Sequence, residues 1–183
     1  MENNAKIMVE DVRIEILCPF HMPFLRGFRS YEKEMVNFLI EDALDNQNQR
    51  ISLTFLWFYQ DELAAYITLL NDRINLEGNL KEFFMEKGVL YNSLPALKIG
   101  RLCVDDRFLQ RGMGALMIRF AIKIANQIFE RYSGCRFIVL DAKRNIRKSP
   151  VLFYEKHGFK ILRERKGATP MYFDLVDNIK FCA

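Results

Sequence analysis

The sequence has almost no histidine: His21 and His157 are the only two among 183 residues. Ser-His-Asp and Cys-His catalysis each need a histidine base beside the nucleophile, and histidine-built metal sites need several, so both classes are disfavoured. The four cysteines, Cys18, Cys103, Cys135 and Cys182, are scattered and form no Cys-x-x-Cys pair. That argues against a zinc knuckle and a disulfide framework, and makes a reducing, cytoplasmic setting the expectation. Long apolar runs are missing too. Ile51 to Tyr59 is the most apolar stretch and is far too short to span a bilayer, so no membrane partner is expected. The N-terminus has no basic flank followed by an apolar core, and no signal peptide is expected. Neither charge sign dominates. A net charge of +4 is compatible with a phosphate-bearing ligand or nucleic acid and demands neither. Without Pro/Ser-rich linkers, repeats or low-complexity tracts, the chain reads as a single domain over 1–183 with an insertion at about 71–97.

What is present is core material. Half of the residues are hydrophobic and 13% are aromatic, enough to bury a sizeable interior. Residues 13–17 read as a first strand, broken by Cys18-Pro19-Phe20-His21-Met22-Pro23. Ser30 is placed to cap a helix reaching about Asp45, with Met35, Phe38, Leu39 and Ala43 on its buried side. Ile51–Tyr59 and Leu63–Leu70 read as an antiparallel hairpin whose near-continuous hydrophobicity implies two covered faces. Within the insertion, Asn79 is expected to cap a short helix that Gly88 stops, and Pro95 to end the segment. Leu97–Val104 is the next strand, Arg107–Gly114 a turn, and Met113–Phe129 a strongly amphipathic helix. Phe137–Leu140 is a strand. Ser149-Pro150 opens a short helix that Gly158 stops, and 159–162 with 171–175 form a closing strand pair. The expected class is α/β (α+β): a mixed, mostly antiparallel sheet with helices on both faces.

The chemistry sits in Gly112-Met113-Gly114, between a strand and the long helix. Glycines at a helix start let backbone approach an anion, and the exposed N–H groups and helix dipole can hold a phosphate. Alone, Gly-x-Gly fits an ordinary strand-to-helix turn equally well. A P-loop is excluded, since Gly-Lys-Ser/Thr is absent. A Rossmann fingerprint is excluded because Leu116 and Met117 stand where its third glycine belongs.

Leu102 to Ala115, Leu-Cys-Val-Asp-Asp-Arg-Phe-Leu-Gln-Arg-Gly-Met-Gly-Ala, resembles the acetyl-CoA motif of the GNAT superfamily of N-acetyltransferases. Phe153-Tyr154-Glu155-Lys156-His157-Gly158-Phe159 resembles that family's second motif, about forty residues on with a strand between. The resemblance covers roughly Leu97 to Leu175. The preceding part and Pro170-Met171-Tyr172-Phe173-Asp174-Leu175 resemble a narrower branch that includes acetyltransferase toxins of toxin–antitoxin pairs. Two positions depart from the pattern: Leu109 stands where the family has Gln or Arg, and Gln110 where glycine is common.

The resemblance implies an enzyme that uses acetyl-CoA. It places the pantetheine arm along backbone groups of Leu102, Cys103 and Val104, and the pyrophosphate on the turn formed by Gln110, Arg111, Gly112, Met113, Gly114 and Ala115. Tyr154 matches the family's general acid, which protonates the departing thiolate; read by itself, Tyr154 is a core tyrosine on an amphipathic helix. The attacking amine needs a base, and Glu62, Asp105 and Asp141 are available without a ranking. Cys103 and Trp57 read as core residues, and His157 as a structural residue at a helix end. No metal is expected. The function expected is acetyl transfer to a primary amine of a small molecule, peptide or protein. The alternatives are a toxin acetylating aminoacyl-tRNA and a non-catalytic acyl-CoA-binding module. A homodimer is the oligomer that the resemblance implies.

Overall fold

The computed structural model describes residues 5–143, 150–163 and 167–177. Seven strands form one sheet in the order β1-β2-β3-β4-β5-β7-β6: β1 (Val12–Ile16), β2 (Leu53–Tyr59), β3 (Glu62–Asn75), β4 (Ser93–Val104), β5 (Phe137–Lys143), β6 (Lys160–Ile161) and β7 (Ala168–Asp174). The pairs β1/β2, β2/β3, β5/β7 and β6/β7 are all antiparallel. The helices are α1 (Met22–Leu25), α2 (Lys33–Asn37), α3 (Ala43–Asn48), α4 (Gly78–Glu86), α5 (Met113–Arg131) and α6 (Pro150–Lys156). The result is the mixed, mostly antiparallel α/β class expected. The chain divides into two compact units, residues 1–70 with 99–120, and residues 71–98 with 121–183.

In the first unit, β2 and β3 form the expected hairpin. Gln60 and Asp61 make a two-residue turn, both at positive φ (50° and 60°), the geometry that matches the twist of the flanking strands. Tyr59 faces Glu62, and Thr54 faces Thr68, where the two buried hydroxyls hydrogen-bond at 2.9 Å. Leu56, Trp57 and Phe58 are consecutive and all buried, so both faces of β2 are covered, as its unbroken hydrophobicity requires. Trp57 is a core residue.

The helix expected after Ser30 starts later and is not uniform. The Ser30 hydroxyl accepts the Glu32 N–H at 3.1 Å, a local turn in place of a cap. Residues Lys33–Asn37 are α-helical, Phe38–Asp42 form a π-helical turn, and Ala43–Asn48 return to α-helix. The Tyr66 hydroxyl donates to the Met35 carbonyl at 2.7 Å just before the π turn. The wider turn brings Phe38 and Leu39 into a core with Leu17, Leu25, Phe28, Ala43, Leu56, Phe58, Leu63, Tyr66 and Cys103. Each large side chain buried there contributes about 1.5–3 kcal/mol, which outweighs an irregular helical turn.

The second unit has its own core of Ile74, Leu76, Phe84, Ala96, Phe137 and Val139. The region at 71–97 is less of an excursion than expected. β3 continues through Asn75 and β4 begins at Ser93, so Pro95 lies inside a strand instead of ending the segment. Between them, α4 starts at Gly78 with Glu77, not Asn79, at its cap, and Gly88 follows at φ +75°. Phe84 is the buried residue of α4, and the Lys87 ammonium lies 4.0 Å over the Phe83 ring. Proline opens α6 at Pro150 and Gly158 ends it at φ +87°; Ser149 lies outside the described residues. The closing strands pair as Lys160↔Tyr172 and Ile161↔Met171, with β7 lying between β5 and β6.

Candidate active site

The first unit contains the whole of the first motif. β4 ends at Val104; Leu102 and Val104 are partly buried and Cys103 is buried. A short 3-10 turn, Asp106–Phe108, leads to Gln110, Arg111 and Gly112, and α5 starts at Met113. Gly112 has φ +87°, a conformation an L side chain rarely adopts. Its carbonyl accepts the first helical bond, from Leu116 N–H at 3.2 Å. The N–H groups of Met113, Gly114 and Ala115 are therefore in the helical turn that has no intrahelical partner, at the positive end of a 19-residue helix. An oxyanion of a phosphate group fits such a turn.

Gly114 contributes to the turn differently from Gly112. It lies in the first turn of α5 and is not among the positive-φ glycines, so its contribution is a bare backbone surface and not a special conformation. Gln110, by contrast, is held at φ +62°. The glycine that the motif commonly has at this position would adopt that conformation freely.

Arg111 is anchored to protein groups. Its Nε donates to the Ala5 carbonyl at 3.0 Å and its NH2 to the Tyr59 hydroxyl at 3.2 Å. The guanidinium lies 4.8 Å from the Tyr59 ring centroid and 5.8 Å from that of Phe108.

The three carboxylates offered as bases are all paired. Asp105 is fully buried and accepts Arg29 N–H at 2.8 Å, Arg107 N–H at 3.0 Å, Arg107 Nε at 2.9 Å and Arg107 NH2 at 3.1 Å. Burial pushes its pKa up, but the hydrogen bonds from Arg107 and Arg29 outweigh that and hold it below the usual carboxylate range. Glu62 pairs with Arg107 NH1, the guanidinium nitrogen that Asp105 leaves over. In the second unit, Asp141 holds Lys98 at 2.9 Å. Asp105 is thus a structural anion joining the end of β4 to the backbone at Arg29, a role that nothing in Val-Asp-Asp-Arg signals.

Cys103 is a buried residue of β4. Burial pushes its thiol up to about 12, partly offset by a hydrogen bond from Ser30. A group of three or more metal-ligating side chains is absent among the described residues.

Tyr154 belongs to the second unit. It sits in α6, 9% exposed, with its ring edge-on to Phe153 at 5.1 Å and to Phe159 at 5.6 Å. Its carbonyl accepts the N–H groups of His157 (2.9 Å) and Phe159 (3.1 Å), which closes the helix at Gly158. His157 Nδ1 lies 2.7 Å from the Phe153 carbonyl, the structural role expected of it.

The family model described as Acetyltransferase (GNAT) family matches residues 14–159, most of the chain. Among solved structures, the chain is similar to AtaT complexed with acetyl-methionyl-tRNAfMet (17% identity, 94% of this chain and 100% of that one, TM-score 0.78). It is also similar to AtaTR bound with AcCoA (19% identity, 94% and 99%, TM-score 0.74). A third match is a tyrosine-to-phenylalanine mutant of KacT (17% identity, 93% and 98%, TM-score 0.77). With its family's motif folded into a helix-start anion turn, this chain belongs to the GNAT acetyltransferase family and is an acetyl-CoA-dependent acetyltransferase.

Proposed function

We propose that the acceptor is the amino group of an aminoacyl-tRNA, and that the chain is a toxin-type GNAT enzyme. The observation that carries this reading is the end-to-end fold match to AtaT in its acetyl-methionyl-tRNAfMet complex, which leaves none of that chain uncovered. The net charge of +4 is compatible with a nucleic-acid substrate. A cytoplasmic setting goes with the reading, in keeping with Cys18, Cys103 and Cys135 as free thiols.

In this reading, acetyl-CoA supplies the activated acyl group. The backbone at Leu102, Cys103 and Val104 aligns its pantetheine arm. Gln110, Arg111, Gly112, Met113, Gly114 and Ala115 form the turn that takes the pyrophosphate. The Tyr154 hydroxyl gives its proton to the departing sulfur.

The deciding experiment offers labelled acetyl-CoA to a panel of charged tRNAs, free amino acids, peptides and proteins. Acetylation of at least one aminoacyl-tRNA is expected, with growth arrest on expression. Transfer to a small amine or protein with no transfer to any charged tRNA would overturn the tRNA reading and restore the general amine acceptor. Mass measurement in solution reads out the homodimer that belongs to the same proposal.

A further inference from the structure

Resting on the acetyl-CoA reading above, we propose that Lys6 is a further cofactor-binding residue, its ammonium contacting a phosphate group of CoA at the start of α5. The segment carrying Lys6 is fastened to the anion turn. Ile7 is 1% exposed and its N–H donates to the Arg111 carbonyl at 2.9 Å. Arg111 Nε donates in return to the Ala5 carbonyl at 3.0 Å. The two bonds bracket Lys6 and fix its backbone beside Gly112. Its side chain then lies along the glycine: a Cβ placed on Gly112 would be 3.3 Å from Lys6 Cγ and 3.4 Å from Lys6 Cε. The ammonium is one bond beyond Cε and makes no hydrogen bond or ion pair among the described residues.

The turn has use for a cation there. Leu109, where the motif has Gln or Arg, carries no charge and is 40% exposed. The Arg111 guanidinium is engaged with Ala5, Tyr59 and Phe108. Among the described residues, Lys6 is the cation whose side chain lies against Gly112, and an ammonium serves a phosphate well as a point charge. Packing alone does not require the charge, because a methionine stem would cover Gly112 equally.

The test measures binding by titration calorimetry at low salt, for the wild type, Lys6→Met and Lys6→Arg. The probes are acetyl-CoA, 3′-dephospho-acetyl-CoA and S-acetyl-pantetheine. Lys6→Met is expected to weaken acetyl-CoA about tenfold, roughly one charge-assisted contact. Lys6→Arg should retain affinity, and S-acetyl-pantetheine should bind all three alike. A loss that persists with the dephospho form assigns the pyrophosphate, and a loss that vanishes assigns the 3′-phosphate; either supports the proposal. Unchanged acetyl-CoA affinity in Lys6→Met would overturn it, as would an equal loss with S-acetyl-pantetheine, which would mean a packing role. A wild type that binds none of the probes would overturn the cofactor reading itself.

Discussion

The Asp105 carboxylate accepts the backbone N–H of Arg29 at 2.8 Å, across 76 positions of sequence. With Arg107 it forms a buried anion whose acceptor sites are filled by four donated bonds. Asp105→Asn would replace one acceptor oxygen by an NH2 that faces donors. It should cost about 2–3 kcal/mol, the scale for uncoupling a buried charged hydrogen-bond set. The pKa of Asp105 is lowered in the folded state. Its stabilisation is therefore complete above the unfolded carboxyl value of about 3.9 and is lost as pH falls below it. Thermal melts from pH 7 to pH 2 should show the wild type losing stability below about pH 4 more steeply than Asp105→Asn. Parallel acid limbs would show that Asp105 is not the group holding this junction.

Gln110→Gly should stabilise the protein. Gln110 is held at φ +62°, which costs a side chain about 1–2 kcal/mol. Against this, glycine adds roughly 0.5–1 kcal/mol of unfolded-state entropy. A net gain of about 0.5–1 kcal/mol follows, read as a rise in Tm of a few degrees. A lower Tm would mean that the Gln110 side chain makes a contribution larger than its strain.

The two glycines of the turn should respond differently. Gly112 is at φ +87° and faces the Lys6 stem. Gly112→Val would impose left-handed strain and place bulk beside the turn, so it should abolish acetyl-CoA binding and lower stability. Gly114 is helical, and Gly114→Ala removes the entropic penalty of a helical glycine, about 0.5–1 kcal/mol. It should fold at least as well as the wild type and lose affinity only through lost access to the backbone. Calorimetry and melting of both variants check this. Equal loss of fold in both would contradict the assigned backbone conformations.

Much of the molecule is readable from its residues because local signals and burial agree. The apolar run in β2 reports two covered faces, Pro150 and Gly158 bracket α6, and the three-four spacing from Met113 marks buried positions of α5 as far as Ala125, while Phe129 at its end is exposed and Ile118 and Ile122 are buried outside it. The readings that failed have tertiary causes. Ser30 looks like a cap, but its hydroxyl accepts the Glu32 N–H in a local turn, the helix starts at Lys33, and a π turn follows from Phe38, with Phe38 and Leu39 in the core. Pro95 looks like a breaker, yet it continues β4, with its carbonyl accepting Arg136 N–H at 3.0 Å. At the site, the glycine turn is local and so visible in sequence. The Asp105 network and the seat of Lys6 each depend on residues far apart in the chain, Arg29 in one case and Arg111 in the other, and no short pattern encodes them.

Tyr154→Phe should keep the fold and the acetyl-CoA affinity while lowering kcat roughly 10²-fold or more, the usual scale for a positioned acid. The ring is what packs against Phe153 and Phe159, and the substitution keeps it. The hydroxyl is what a departing thiolate needs, so the loss belongs in the maximal rate and not in cofactor binding. The size of the defect should also follow the donor. A thioester whose thiol is already acidic leaves without help, and with it the variant should recover most of the wild-type rate. Steady-state kinetics on the two donors, with a melting curve and calorimetry as controls, separates the outcomes. A defect of equal size with both donors would place Tyr154 in acceptor positioning. Full activity with acetyl-CoA would mean that water or another residue protonates the sulfur, and Tyr154 would return to being a core tyrosine on α6.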